Sequence, residues 1–168
     1  IEKGGTLRRV SVLFADVRGF TNLTERTPPA EMVQLMNEYF ERVTKVIFEY
    51  HGTLDKYIGD AVMALWGAPI GTDDDEINAV RAAFKMQQAV DEFNEVRREQ
   101  GLEEIDVGIG VATGQLIAGY MGSTQTMSYT VLGRKVNLSA RLCGMAKPGE
   151  VLLGPTTYDS VKDRIEAE

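Results

Sequence analysis

The sequence has very little of two residue types on which many enzymes depend: it contains one cysteine, Cys143, and one histidine, His51. A single cysteine excludes an internal disulfide, and this composition excludes zinc sites built from several cysteines or histidines. Catalysis by a Ser-His-Asp or Cys-His group would depend on His51 alone. Because His51 follows an apolar-periodic segment and precedes Gly52, we expect it to end a helix.

Long hydrophobic runs and an excess of positive charge are also absent. The longest apolar runs span only a few residues, so the sequence predicts no membrane contact by this segment. Its 168 residues carry 18 Lys and Arg against 25 Asp and Glu, a formal net charge of −7. Such a chain is poorly suited to nucleic-acid binding, which needs a basic face. A small phosphorylated ligand is compatible with this charge, because a metal ion can bridge acidic side chains and phosphates.

The length and composition favour one globular domain over residues 1–168. Hydrophobic residues make up 43% of the chain and charged residues 26%, close to the average of soluble domains. The segment starts at Ile1 rather than Met and shows no signal peptide, so we expect it to be a piece of a longer protein. The single cysteine favours a reducing compartment, the cytoplasm. Attachment of the longer protein to a membrane through other regions stays open.

Hydrophobic periodicity predicts strands and helices that alternate along the chain. Strands are expected at 10–15, 53–58, 61–66, 105–111, 116–121, 128–132 and 151–153. Long helices are expected at 31–50 and 73–100, a third helix at 134–145 and a closing helix at 156–164. We expect 116–121 to be the hairpin partner of 105–111. This order predicts an α+β fold, a ferredoxin-like βαββαβ core with extra C-terminal elements, in which helices pack on a mostly antiparallel sheet.

Two aspartates are the first candidates for chemistry. Asp16 ends the first predicted strand, and Asp60 lies at the tip of a hairpin whose two-residue loop begins with Gly59. If that hairpin pairs beside the first strand, the two carboxylates converge and either share a proton or hold a cation. Oxygen ligands favour Mg²⁺ or Mn²⁺ over zinc. The structural alternative is that Asp16 merely terminates a strand and Asp60 suits a turn.

The segment that directly follows Asp16 is a candidate phosphate-binding turn. Free backbone N–H groups at the start of a helix, next to a glycine that permits close approach, bind phosphate oxygens. No Gly-Lys-Ser/Thr follows, so the segment is not a Walker A loop. The residues of this turn are Val17, Arg18, Gly19, Phe20 and Thr21.

Asn137 and Arg141 are four residues apart in the predicted helix 134–145 and therefore project from one face. Side by side, they can bind a sugar oxygen and a phosphate that gains negative charge. Taken alone, each is more typical of a solvated helix surface. Lys56 and Thr130 lie on predicted strands, where each would ordinarily be an exposed residue.

Four stretches together resemble the class III nucleotidyl cyclase catalytic domain. They are VSVLFADVRGFT (10–21), GTLDKYIGDAVMALWGAP (52–69), VGIGVATGQLIAGYMGS (107–123) and YTVLGRKVNLSARL (129–142), in family order over most of the chain. The resemblance implies conversion of ATP to 3′,5′-cyclic AMP and pyrophosphate with two Mg²⁺ or Mn²⁺ ions per site. It also implies a head-to-tail homodimer in which each active site combines residues of both protomers.

The resemblance also implies a role for each candidate residue. Asp16 and Asp60 match the metal ligands, Lys56 and Thr130 the purine-reading pair, Asn137 the ribose-orienting residue, and Arg141 the residue that stabilises the transition state. A lysine at this position suits adenine, whose N1 accepts a hydrogen bond, whereas guanine N1 and N2 both donate. The threonine at position 130 resembles the pattern of the subclass that includes bicarbonate-stimulated soluble cyclases, so bicarbonate is a further expected ligand.

Two alternatives stay open beside an adenylyl cyclase. One is a catalytically silent module that dimerises and binds nucleotide, and the other is a guanylyl cyclase. Two departures from the family pattern predict weaker or altered binding of the triphosphate. Gln115 stands where some members have an arginine, and family domains continue beyond the position of Glu168 with strands that carry a phosphate-binding lysine.

Overall fold

The computed structural model describes residues 5–165, so Ile1 and Glu168 lie outside the described residues. Within this range the strands are β1 (Thr6–Val17), β2 (Thr53–Ile58), β3 (Ala61–Trp66), β4 (Val107–Gly122), β5 (Met127–Leu132) and β6 (Val151–Leu153). The α-helices are α1 (Phe20–Arg26), α2 (Pro29–Glu49), α3 (Asp75–Glu99), α4 (Arg134–Met145) and α5 (Pro155–Val161), followed by a 3₁₀ turn at Lys162–Arg164.

The strands form one sheet in the order β2-β3-β1-β4-β5, and β6 pairs with β4. Only the β4–β6 pairing is parallel among the described residues; the other four are antiparallel. In this order β3 lies between β1 and β2, and β4 lies on the far side of β1, as in a split βαβ arrangement. The α+β fold and the βαββαβ core predicted from the sequence are therefore confirmed.

Strand β4 is much longer than the sequence predicts. The structure has one continuous strand over Val107–Gly122, so the predicted hairpin between 105–111 and 116–121 is wrong. The strand pairs with β1 up to Ala118, and its last six residues pair with β5. Gly114 interrupts the apolar pattern because a Cβ atom there would lie 2.6 Å from Cγ of Lys135. A glycine within a strand can mark a close approach as well as a turn.

Strand β1 is buried on both faces, which explains its uninterrupted apolar run. Leu13 and Ala15 pack in the cluster covered by α2 and α3. Val12 and Phe14 belong to the cluster on the other face, which includes Cys143 of α4. None of the helices in 5–165 combines the length and the apolar character needed to cross a membrane.

Candidate active site

The β2–β3 hairpin lies beside β1, as the sequence predicts, and brings the two aspartates to one end of the sheet. Ala15 pairs with Val62, so Asp16 on β1 and Asp60 in the turn before β3 both lie just beyond this pair. The backbone N–H of Val17 donates a hydrogen bond of 2.9 Å to Oδ2 of Asp60. The carboxylate of Asp60 is therefore held against the residue that follows Asp16.

The environment of Asp16 fits a divalent cation. Its side chain is partly buried, and Oδ1 forms an ion pair with Nη2 of Arg18. Arg18 is the only basic side chain in ion-pair contact with this carboxylate within residues 5–165. In the described part of the chain no three His, Cys, Asp or Glu side chains are placed so that they could hold a metal ion together, but Mg²⁺ usually needs only one or two carboxylates together with substrate phosphates. Asp16 and Asp60 can therefore hold such an ion.

The turn after Asp16 has only part of its backbone available to a ligand. The N–H of Val17 is occupied by Asp60, and the N–H of Arg18 donates to the carbonyl oxygen of Asp106 at 2.7 Å. Gly19 has the left-handed φ of 66°, after which α1 begins. The amides of the first turn of a helix lack intrahelical acceptors. A role in phosphate binding stays a prediction, and the amides of Phe20 and Thr21 are its best-placed candidates.

Helix α4 lies directly on the sheet because glycines leave room for it. A Cβ atom on Gly110 would lie 2.4 Å from the backbone nitrogen of Cys143 and 2.5 Å from the carbonyl oxygen of Ser139. The Ser139 hydroxyl lies 2.8 Å from the carbonyl oxygen of Val12 and 3.0 Å from that of Gly110. The Cys143 thiol donates to the carbonyl oxygen of Gly108 at 3.3 Å. These contacts fix which face of α4 meets the sheet.

Burial raises the pKa of the Cys143 thiol to about 11. The thiol is therefore protonated at neutral pH and is a poor nucleophile. His51, the other residue of interest for nucleophilic chemistry, follows α2 with a φ of 66°, so it ends the helix as predicted. Neither residue lies in an arrangement that supports nucleophilic catalysis, and the candidate chemistry remains that of carboxylates, an amide and basic groups.

The opposite face of α4 carries the basic side of the candidate site. Asn137 and Arg141 are both exposed. Arg141 forms no ion pair with the residues in 5–165. Ala140 beside them is also exposed, whereas Ser139 is buried on the face toward the sheet. The roles of Asn137 and Arg141 stay predictions, and their exposure leaves both available to a ligand or a second chain.

The predicted purine-reading residues lie on the outermost strands of the sheet order. Lys56 on β2 is exposed, whereas Thr130 on β5 is only 7% exposed. The Thr130 hydroxyl donates a hydrogen bond of 2.6 Å to Oδ2 of Asp55. Since β2 and β5 are the first and last strands of that order, this contact requires a strongly coiled sheet. The two strands that carry Lys56 and Thr130 therefore meet through Asp55.

Asp55 is a residue that the sequence analysis did not find. The pairing of β2 with β3 passes from Leu54–Ala64 to Lys56–Met63, so Asp55 is the extra residue of a β-bulge. Bulges redirect a side chain and are frequent beside active sites. The sequence of β2, TLDKYI, has no feature that marks Asp55 rather than its neighbours as the extra residue.

Comparisons with known proteins agree with the resemblance. A family model described as "Adenylate and Guanylate cyclase catalytic domain" matches residues 3–168. The chain is 41% identical over 153 residues to an adenylate cyclase of Anabaena cylindrica, covering 88% of this chain and 29% of that protein. It is 33% identical over 140 residues to adenylate cyclase 1 of Rhizobium meliloti, covering 83% of this chain and 21% of that protein. The chain thus spans less than a third of the length of either relative.

Two solved structures show the same architecture. The adenylyl cyclase CyaB from P. aeruginosa superposes with a TM-score of 0.94 at 32% identity, covering 97% of this chain and 85% of that one. The guanylyl cyclase Cya2 superposes with a TM-score of 0.93 at 36% identity, covering 97% and 83%. Because the fold is shared by enzymes named for different purines, the base preference of this chain has to be argued from its side chains.

Proposed function

Because this chain belongs to the family of adenylate and guanylate cyclase catalytic domains, we propose that it converts ATP to 3′,5′-cyclic AMP and pyrophosphate. The observation that carries this proposal is the convergence of Asp16 and Asp60 through the Val17 hydrogen bond. Two carboxylates that converge at one end of a sheet suit a metal-bound triphosphate.

The acidic side of the site binds and orients the triphosphate. Asp16 and Asp60 would hold two divalent cations, Mg²⁺ or Mn²⁺, which when bound lower the pKa of the ribose 3′-hydroxyl and clamp the phosphates. The hydrogen bond from Val17 fixes the carboxylate of Asp60 before substrate arrives. The amides of Phe20 and Thr21 are placed to donate to phosphate oxygens.

The basic side of the site acts on the ribose and the α-phosphate. Asn137 orients the ribose so that its 3′-oxygen attacks the α-phosphorus in line. Arg141 donates to the negative charge that develops on the α-phosphate. Removing one such donor typically lowers the rate by about 10²–10³-fold. No protein nucleophile is required, in agreement with a protonated, buried Cys143.

Two copies of the chain form the sites in this proposal. One protomer supplies Asp16 and Asp60, and its head-to-tail partner supplies the purine-reading pair together with Asn137 and Arg141. Large exposed apolar side chains, as found at interfaces, occur on the strands of the purine-reading pair and on β4 beside β5: Tyr57 and Ile58 on β2, Tyr120 on β4, and Met127 and Leu132 on β5. A bicarbonate response stays a prediction without support from these contacts.

The proposal is tested with the purified chain, incubated with ATP or GTP and Mn²⁺ or Mg²⁺, and a measurement of both cyclic nucleotides. We expect cyclic AMP to dominate. Asp60→Asn should abolish its formation, while Asp91→Asn, which changes an exposed carboxylate on α3, should not. Predominant cyclic GMP would identify a guanylate cyclase, and no product from a confirmed dimer would favour the silent nucleotide-binding module.

A further inference from the structure

The hydrogen bond between Thr130 and Asp55 bears on which purine the site accepts. We propose that Asp55 is a positioning residue that sets the base preference. It takes the hydroxyl proton of Thr130, so the Thr130 oxygen can only accept a hydrogen bond from the substrate. This inference rests on the proposed function, in which Lys56 and Thr130 face the purine.

The geometry identifies the donor of this hydrogen bond. A hydroxyl has one proton, whereas an ionised carboxylate can only accept. The distance of 2.6 Å between Thr130 Oγ1 and Asp55 Oδ2 lies in the range of charge-assisted O–H···O⁻ bonds. The other oxygen of Asp55 is buried and has no hydrogen-bond partner among residues 5–165. Thr130 is thus the hydrogen-bond donor that this part of the chain provides to the Asp55 carboxylate.

Both partners are fixed by the backbone before any ligand binds. Thr130 is paired with Gly119 inside the β4–β5 ladder and is only 7% exposed. Asp55 is the extra residue of the bulge in β2, between the Leu54 and Lys56 pairs. Since neither side chain sits on a long loop, the direction of the hydroxyl proton is set in advance, and the cost of ordering it on binding is low.

An oxygen that can only accept distinguishes the two purines. Adenine presents an N6 amine, which donates, and guanine presents O6, which only accepts. Thr130 therefore accepts a hydrogen bond from adenine N6. With guanine, Thr130 Oγ1 would face O6 with no proton between the two oxygens. Sites built around a hydrogen bond reject analogues that lack the matching group, because the buried polar atoms are left unpaired.

The test compares kcat/KM for ATP and for GTP in the wild-type chain and in Asp55→Asn. The amide of asparagine can donate to Thr130, which frees the hydroxyl proton for guanine O6. We expect the ATP:GTP ratio to fall about tenfold. Thr130→Ser keeps the hydroxyl and should keep most of the ratio. In a Thr130→Val background, Asp55→Asn should change the ratio no further, because the two residues act as one unit.

A merely structural role of Asp55 gives a different result. It would lower the melting temperature or both kcat/KM values while leaving their ratio unchanged, and that outcome would overturn the inference. The exposed Asp91→Asn variant controls for the loss of one carboxylate. An effect of Asp55→Asn on the ratio that persists in the Thr130→Val background would also refute the coupling.

Binding of 2′,3′-dideoxy-ATP and 2′,3′-dideoxy-GTP separates this inference from the proposed function, because neither analogue can cyclise. If the wild-type chain forms no cyclic nucleotide but binds the adenine analogue more tightly, and Asp55→Asn removes that preference, the cyclase proposal fails and the inference stands. Equal discrimination by the wild type and Asp55→Asn refutes the inference whether or not the chain is active. A wild-type preference for guanine refutes both.

Discussion

Replacing Gly110 with alanine should force α4 away from the sheet. The new Cβ atom would lie 2.4 Å from the nitrogen of Cys143 and 2.5 Å from the carbonyl oxygen of Ser139, and these are backbone atoms that cannot rotate away. An ordinary contact begins at 3.4 Å, so the helix has to move by about 3.4 − 2.4 = 1.0 Å. Overpacking of this kind costs about 1–3 kcal/mol. For a domain of this size, that corresponds to a melting temperature lower by roughly 2–12 °C.

The same displacement should affect activity more than stability. Arg141 and Asn137 lie on the outer face of α4, so they move with the helix. A misplacement of about 1 Å in a catalytic group can cost about 10²-fold in rate. We therefore expect Gly110→Ala to remain folded at 20 °C and to show a much lower kcat, measured beside thermal and urea unfolding.

Gly144→Ala is the matched control. It is the same glycine-to-alanine substitution, made on α4 rather than on β4, and no heavy atom lies within 4 Å of the added Cβ. Alanine should stabilise this helix by up to about 1 kcal/mol. Two results would contradict this reasoning: a free energy of unfolding of Gly110→Ala within about 0.5 kcal/mol of the wild-type value, or an activity as high as that of Gly144→Ala. Either would mean that close contact with Gly110 is not what positions α4.

Three further results are expected. Asp60→Ala and Arg141→Ala chains should each be inactive alone, and mixing them should restore about a quarter of wild-type activity. Half of the dimers are then mixed, and each mixed dimer holds one intact site out of two. No recovery despite subunit exchange would contradict the shared site. Asp16→Asn should raise the Mn²⁺ concentration for half-maximal activity at least about tenfold, and an unchanged requirement would remove Asp16 from the metal site. Because the pKa of Cys143 is raised from 9.0 to about 11, its stabilising contribution is present below pH 9 and is lost as pH rises through 11. The difference in unfolding free energy between wild type and Cys143→Ala should therefore shrink over that range, and a constant difference would refute it.

The parts of the fold with local signals were predictable from the sequence. The β2–β3 hairpin has the predicted limits because Gly59 and Asp60 form a two-residue loop, and Gly59 has the positive φ of 60° that such a loop requires. Helix α4 also has the predicted limits, Arg134–Met145. The continuity of strand β4 was not predictable in this way. A glycine such as Gly114 looks the same in the sequence whether it turns the chain or makes room for Lys135.

The candidate site also has a part that was predictable from the sequence and a part that was not. The convergence of Asp16 and Asp60 follows from the strand order, which the alternation of strands and helices already indicates. The contact of Asp55 with Thr130 depends on one extra residue in β2 and on the coiling of the whole sheet. Neither the extra residue nor the coiling has a signature in a single sequence. Asp55 was therefore overlooked, although it directly precedes Lys56 and contacts Thr130 on β5.

The two sides of the candidate site have separate anchors, and this bears on whether mixed subunits can recover activity. The acidic side is held by the hydrogen bond from Val17 to Asp60, and the basic side by Ser139 against the carbonyl oxygens of Val12 and Gly110. Arg18 links them, since it pairs with Asp16 and donates to the carbonyl oxygens that end α4. Arg141→Ala touches none of these contacts. Asp60→Ala removes one hydrogen bond of about 0.5–1.5 kcal/mol and leaves the anchors of α4 in place, so each variant should keep the half that its partner lacks.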